Sequence, residues 1–133
     1  MSSELWLLIA SIVLGFVHII AQAQSMTAQR GLDYNAGPRD VQVPPATGVA
    51  GRLERALRNF VETFALFAAA VLIAHVVNVH NGLTLWGAWL YFVGRVAYLP
   101  LYAFGVPYIR SLAWAVATAG IVLVLAGIVY ARG

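Results

Sequence analysis

Apolar runs of about 20 residues can be drawn four times along the chain, at about 5–25, 60–79, 83–104 and 108–131. A helix of that length crosses the hydrocarbon of a bilayer, so the pattern predicts four spans. The second helix is expected to start earlier, near Arg52, with its first turns outside the hydrocarbon, giving spans of about 5–25, 52–79, 83–104 and 108–131. Pro44-Pro45, Gly48 and Gly51 break the chain before it, and the connection of about 30–51 is the one long loop. The turns at Asn78-Val-His-Asn81-Gly82 and Gly105-Val-Pro107 are short.

Polar residues inside these runs are phased rather than scattered. At about 100° per residue, Arg52, Arg55, Asn59 and Glu62 share a stripe roughly 80° wide, with Arg58 at its edge. Tyr91, Arg95, Tyr98 and Tyr102 fall within roughly 60° on the third span. A charged group at the centre of a membrane helix costs about 2.5–3.5 kcal/mol on the translocon scale, which argues that these groups face a polar site. The competing explanation is an Arg95–Glu62 ion pair that ties the second and third helices together, with the tyrosines as packing. One pair would leave Arg55, Asn59 and two phased phenols unexplained. The first span carries Ser11, Gly15, His18, Gln22, Ser25 and Gln29 on one side, a pattern read as helix–helix contact. Ala113, Ala117, Gly120 and Gly127 permit close packing of the fourth. Pro100 should bend the third.

Composition turns the pattern into a class. The 133 residues are 62% hydrophobic, and the mean hydropathy is +0.82. No soluble domain of that size could hide so much apolar surface, so an integral membrane protein of one compact all-α unit, 1–133, is expected. Cysteine is absent, which excludes disulfides and cysteine nucleophiles; any thiol chemistry needs a thiol supplied by a ligand. All eight basic residues are Arg. Arg offers a planar fork suited to carboxylates, although coding bias would give the same count. No soluble basic face exists for nucleic acid. His75 and His80 do not match the i, i+4 spacing of a helical metal pair, so no metal is expected.

Orientation follows from where the arginines fall. Arg30, Arg39, Arg52, Arg55 and Arg58 belong to the first loop and its flanks, and Arg110 flanks the third. By the positive-inside rule, loops one and three face the cytoplasm and both termini face the other side. Trp6, Trp86, Trp89 and Tyr130 would then lie at the outer interface. Met1-Ser-Ser-Glu4 lacks the positive start of a signal peptide, so the first run reads as a retained span.

On these stripes the chain resembles the MAPEG family, the membrane-associated proteins in eicosanoid and glutathione metabolism. The residues that carry the resemblance are Arg55-Ala-Leu-Arg58-Asn59-Phe-Val-Glu62-Thr-Phe, Gly94-Arg95-Val-Ala-Tyr98-x-x-x-Tyr102 and Ile109-Arg110-Ser111. Gly37-Pro38-Arg39-Asp40 and Leu83-Thr-Leu-Trp-Gly-Ala-Trp-Leu-Tyr look like the small bacterial members. The resemblance implies a homotrimer in a bacterial inner membrane with glutathione, the co-substrate, between subunits at the cytoplasmic side. It implies that Arg55, Asn59 and Glu62 hold glutathione, with Arg95, Tyr98 and Tyr102 completing the pocket and Arg30 as a further basic contact. Arg110 matches the arginine beside the glutathione sulfur, the catalytic position. Two departures stand out: Ala65 replaces the familiar proline after the glutamate, and the third loop, Phe104-Gly-Val-Pro-Tyr108, lacks an arginine of the eicosanoid-making members. The implied activity is conjugation of glutathione to lipophilic electrophiles or reduction of lipid hydroperoxides. The alternatives are a non-catalytic trimer binding glutathione, lipid or another anion, and a transport subunit whose stripes line a path.

Overall fold

A computed structural model of the chain describes residues 1–132, and among these every regular element is helical. Helix α1 is Ser3–Arg30, α2 is Leu32–Ala36, α3 is Gly48–Val76, α4 is Gly82–Ala103 and α5 is Ile109–Arg132. Their ends follow local chemistry. The Ser2 hydroxyl accepts from the Leu5 amide at 3.3 Å and caps α1. Asn81 and Thr84 form a reciprocal capping box at the start of α4, each satisfying the other's backbone amide at 3.0 Å. Gly31, at φ 89°, ends α1 with its amide on Thr27 O, a conformation that favours glycine.

The long first connection is shorter in practice than the breakers suggested. Gly31 turns the chain directly into α2, and Asn35 Nδ2 donates back to Thr27 Oγ1 at 2.9 Å. At its far end the Gln29 carboxamide grips Thr47: Nε2 donates to Thr47 O at 3.0 Å, and Oε1 accepts from the Thr47 amide at 3.1 Å. That clasp returns the chain to the end of α1, and α3 starts at Gly48 rather than near Arg52.

Helix α1 lies along α3, and α5 lies along α4. The second pair touches backbone to backbone: a Cβ placed on Gly87 would stand 2.5 Å from Gly120 O, and one on Gly94 2.9 Å from Ala113 O. The small-residue stripe of the last helix therefore does set a close crossing. Between the pairs, Leu7, Phe67, Val71, Tyr91, Ile121 and Val124 form the core. Tyr91 stacks on Phe67 at 4.0 Å and shares a hydrogen bond of 3.2 Å with Thr63, so its hydroxyl is satisfied inside the protomer. Ser11 and His18 of α1 are buried, and a Cβ on Gly15 would meet the Phe60 ring at 3.2 Å, as a contact face requires.

The outside of the bundle is as apolar as the inside. Phe16, Ile20, Leu66, Ile73, Val122 and Val129 are all exposed. A helix apolar on every side belongs in a membrane. Three helices, α1, α3 and α5, are long and apolar enough to cross one. Helix α4, with 22 residues, is not among the three, because Arg95 and its tyrosines and tryptophans dilute its hydropathy.

Candidate functional site

Among the described residues, Arg95 heads the large side chains that are fully buried. A guanidinium in such surroundings needs compensation. Its Nη1 donates to Asn59 Oδ1 at 2.8 Å, across from α4 to α3. Its Cζ lies 4.1 Å from the Tyr98 ring centroid and 5.4 Å from that of Phe60, so two aromatic faces flank the cation. Nε and Nη2 find no partner among the described residues. The partner is therefore Asn59 and not Glu62, and the simple Arg95–Glu62 tie is not formed. Glu62 is exposed on the flank of α3.

Toward the end of the bundle where α4 passes into α5, Tyr102 sits between two more arginines. Arg55 Nε donates to its hydroxyl oxygen at 3.1 Å, and Arg110 Cζ lies 4.5 Å from its ring centroid. The Tyr98 and Tyr102 rings are 5.5 Å apart, one turn from each other on α4. In front of them opens a hollow of about 300 Å³ lined by Asn59, Tyr98, Tyr102, Arg110, Ser111 and Trp114. Four of the residues singled out from sequence thus share one hollow, with Arg95 behind Asn59 and Arg55 at its edge.

The others lie apart. Arg30 donates from Nη2 to Pro44 O at 3.1 Å and lines a second hollow of about 230 Å³ with Glu54, Arg55 and Arg58. Arg58 pairs with Glu54 at 3.6 Å in an exposed i, i+4 contact. Arg55 belongs to both hollows, lining one and holding a wall of the other. Arg52, in the same stripe, serves the fold instead. Its Nε donates to Ala103 O at 2.8 Å and closes the C-terminal end of α4. Glu62 lines neither hollow.

Sequence reasoning passed over Trp114 and gave Ser111 no role. The signal was present, since Arg110 and Trp114 are i, i+4 and share a face of α5. It was masked because Trp is unremarkable in an apolar run. Phe60, given no role of its own in the sequence, is buried and floors the Arg95 cation. Among the described residues no group of three or more His, Cys, Asp or Glu side chains is placed to hold a metal.

Chemically, the hollow offers fixed positive charge, aromatic walls and several hydrogen-bond donors at the edge of an apolar bundle. That combination suits an anionic, partly apolar ligand. The fold and this site define an all-helical integral membrane protein with a basic, aromatic hollow near one end of its bundle. The MAPEG family model matches residues 6–130, and the chain belongs to the MAPEG family. Members of that family use glutathione, generally form trimers and act on lipophilic substrates; they include transferases, peroxidases and non-catalytic proteins. Neither the curated proteins nor the solved structures contain a match to this chain.

Proposed function

We propose that the protein is a glutathione-dependent membrane enzyme, a homotrimer in which the whole chain is one domain and α4 is the fourth span. The observation that carries the proposal is the convergence of Asn59 from α3, Tyr98 and Tyr102 from α4 and Arg110 from α5 on one hollow. Arg110 is held over Tyr102 and faces the hollow, where its guanidinium would favour the thiolate of a bound glutathione. In conjugation, the thiolate sulfur attacks a lipophilic electrophile and the leaving group departs with the bonding pair. In peroxide reduction, two glutathione thiols are oxidised to a disulfide as one hydroperoxide becomes an alcohol and water. The apolar acceptor arrives from the bilayer, and alignment of the two partners supplies much of the rate.

The exposed carboxylate of Glu62 supports the trimer. Exposed on α3 beside Val61 and Leu66, it would face lipid in a single protomer. Against a neighbouring copy it meets the ammonium of a glutathione bound between subunits, with Arg30 and Arg55 placed for carboxylates. Loop one, with its arginines, and loop three, flanked by Arg110, face the cytoplasm, and both termini face the periplasm of a bacterial inner membrane. In the test, detergent-purified protein is assayed with glutathione and an aryl halide or a lipid hydroperoxide. Arg110→Ala is expected to lower kcat/KM at least about tenfold. Equal turnover in the two proteins would remove the enzyme from the proposal, and binding without turnover would leave a binding protein.

A further inference from the structure

The end of the bundle opposite Arg110 holds a second polar site, built around Glu4. This carboxylate is buried, at 4% exposure, in the first turn of α1. Its Oε1 accepts from Thr84 Oγ1 at 2.7 Å. A carboxylate that complements a helix start and is satisfied by one hydroxyl would account for Oε1 alone. Among the described residues Oε2 has no hydrogen bond and no arginine partner; it meets His80 Nδ1 at 3.8 Å, beyond hydrogen-bond reach. Glu4 lines a hollow of about 340 Å³ with Ser2, Ser3, His80, Asn81 and Leu85, and Oε2 is the oxygen left to face it. Asn81 is engaged elsewhere, its carboxamide accepting from the Thr84 amide and donating to Gly127 O. The Ser2 oxygen accepts from the Leu5 amide, which leaves its own proton to donate, and Ser3 and His80 are exposed at the rim. The hollow therefore sets one unanswered acceptor beside several donors.

An apolar hollow of about 310 Å³ adjoins it along α4, lined by Leu85, Trp86, Trp89, Leu90 and Val93, so that Leu85 is a wall of both. From Leu85 to Val93 the helix rises about 12 Å, most of the roughly 15 Å of hydrocarbon in one leaflet. Trp6, Trp86 and Trp89 are exposed at this end of the bundle, as side chains at headgroup level are. We infer that the two hollows form one site for an amine-bearing phospholipid of the leaflet on this side. The ammonium of an ethanolamine headgroup donates to Glu4 Oε2, the phosphodiester meets Ser2, Ser3 and His80, and an acyl chain lies along α4 from Leu85 to Val93. A trimethylated choline headgroup has no N–H to donate and fits less well. The site is separate from the hollow beside Arg110 and does not depend on the function proposed there.

In the test, full-length protein in detergent is offered equal amounts of phosphatidylethanolamine, phosphatidylcholine and phosphatidylglycerol with identical acyl chains, and the lipid retained is read by native mass spectrometry. Wild type is expected to keep phosphatidylethanolamine at least about fivefold over the other two. Glu4→Gln keeps a carbonyl oxygen for Thr84 but turns an amide donor to the hollow, so the preference should fall to about one with the melting temperature maintained. Equal retention of the three lipids by wild type, or the wild-type preference in Glu4→Gln, would overturn the inference. Should Glu4→Gln not fold, mono- and dimethylated ethanolamine lipids offered to wild type replace it. Retention should fall across the series as N–H groups are lost; retention independent of methylation would equally sink the idea. Soluble glycerophosphoethanolamine separates head from tail. It is expected to displace the lipid only at a concentration at least about a hundredfold higher, because the chain buries several methylenes. Displacement at the lipid's own concentration would make the ligand a soluble amine phosphodiester and overturn the lipid assignment.

Discussion

Tyr102 joins the two basic hollows, and its two functions separate by substitution. Its ring lies beneath Arg110 and its hydroxyl takes a hydrogen bond from Arg55. Tyr102→Phe keeps the ring and removes the oxygen. Arg55 is exposed and re-solvates, so the fold should be unaffected. Calorimetry is expected to show glutathione binding weakened about five- to tenfold, the worth of one hydrogen bond of about 1 kcal/mol, with the melting temperature unchanged. Affinity equal to wild type would show that the hydroxyl takes no part. Arg95 is a different kind of residue, silent at the surface and costly inside. It persists because Asn59, Tyr98 and Phe60 together offset the loss of its hydration.

The pairing of α4 with α5 holds both tyrosines and Arg110 in place, and it depends on the absence of side chains at one crossing. A Cβ on Gly120 would lie 2.5 Å from Gly87 O and 2.7 Å from the Tyr91 amide nitrogen, both backbone atoms that cannot swing aside. Gly120→Val must part the helices and is expected to destabilise the protein by roughly 1–3 kcal/mol or more. Thermal unfolding in detergent reads this directly. Ala115→Val, exposed on the same helix, is the matched control and should melt like wild type. Equal melting of all three proteins would mean that the crossing is looser than the geometry requires. Such a stripe was legible in the sequence, because small residues recurring on one helix face mark close approach. Its partner on α4 was not, since Gly87 and Gly94 look like any glycines in an apolar run.

In the bilayer, the absence of cysteine gives a clean means of testing topology. Single cysteines at Asp40, in the first connection, and at Asn78, in the turn after α3, lie on opposite sides of the proposed membrane. A membrane-impermeant maleimide added to intact spheroplasts should label Asn78→Cys and spare Asp40→Cys, with the reverse in inverted vesicles. Labelling of both from one side would overturn both the orientation and the span count. Native mass spectrometry from nanodiscs is expected to give three chains, retaining a tripeptide thiol; a single chain would leave Glu62 facing lipid and remove the reason for its presence.

Membrane residence, the helical class, the polar stripes and the family were all legible along the chain, because hydropathy and a 3.6-residue period are local properties that need no knowledge of neighbours. Which groups meet across helices was not. Asn59 and Glu62 lie on one face of α3, three residues apart, and an axial offset of roughly 4.5 Å between α3 and α4 decides which of them Arg95 reaches. Such an offset is set by packing at Phe67 and Tyr91, at a distance from the arginine itself. The same packing splits one list of basic residues into two hollows, with Arg30 and Arg58 in one and Arg110 in the other. A stripe names candidates; only the mutual rotation and depth of the helices selects among them.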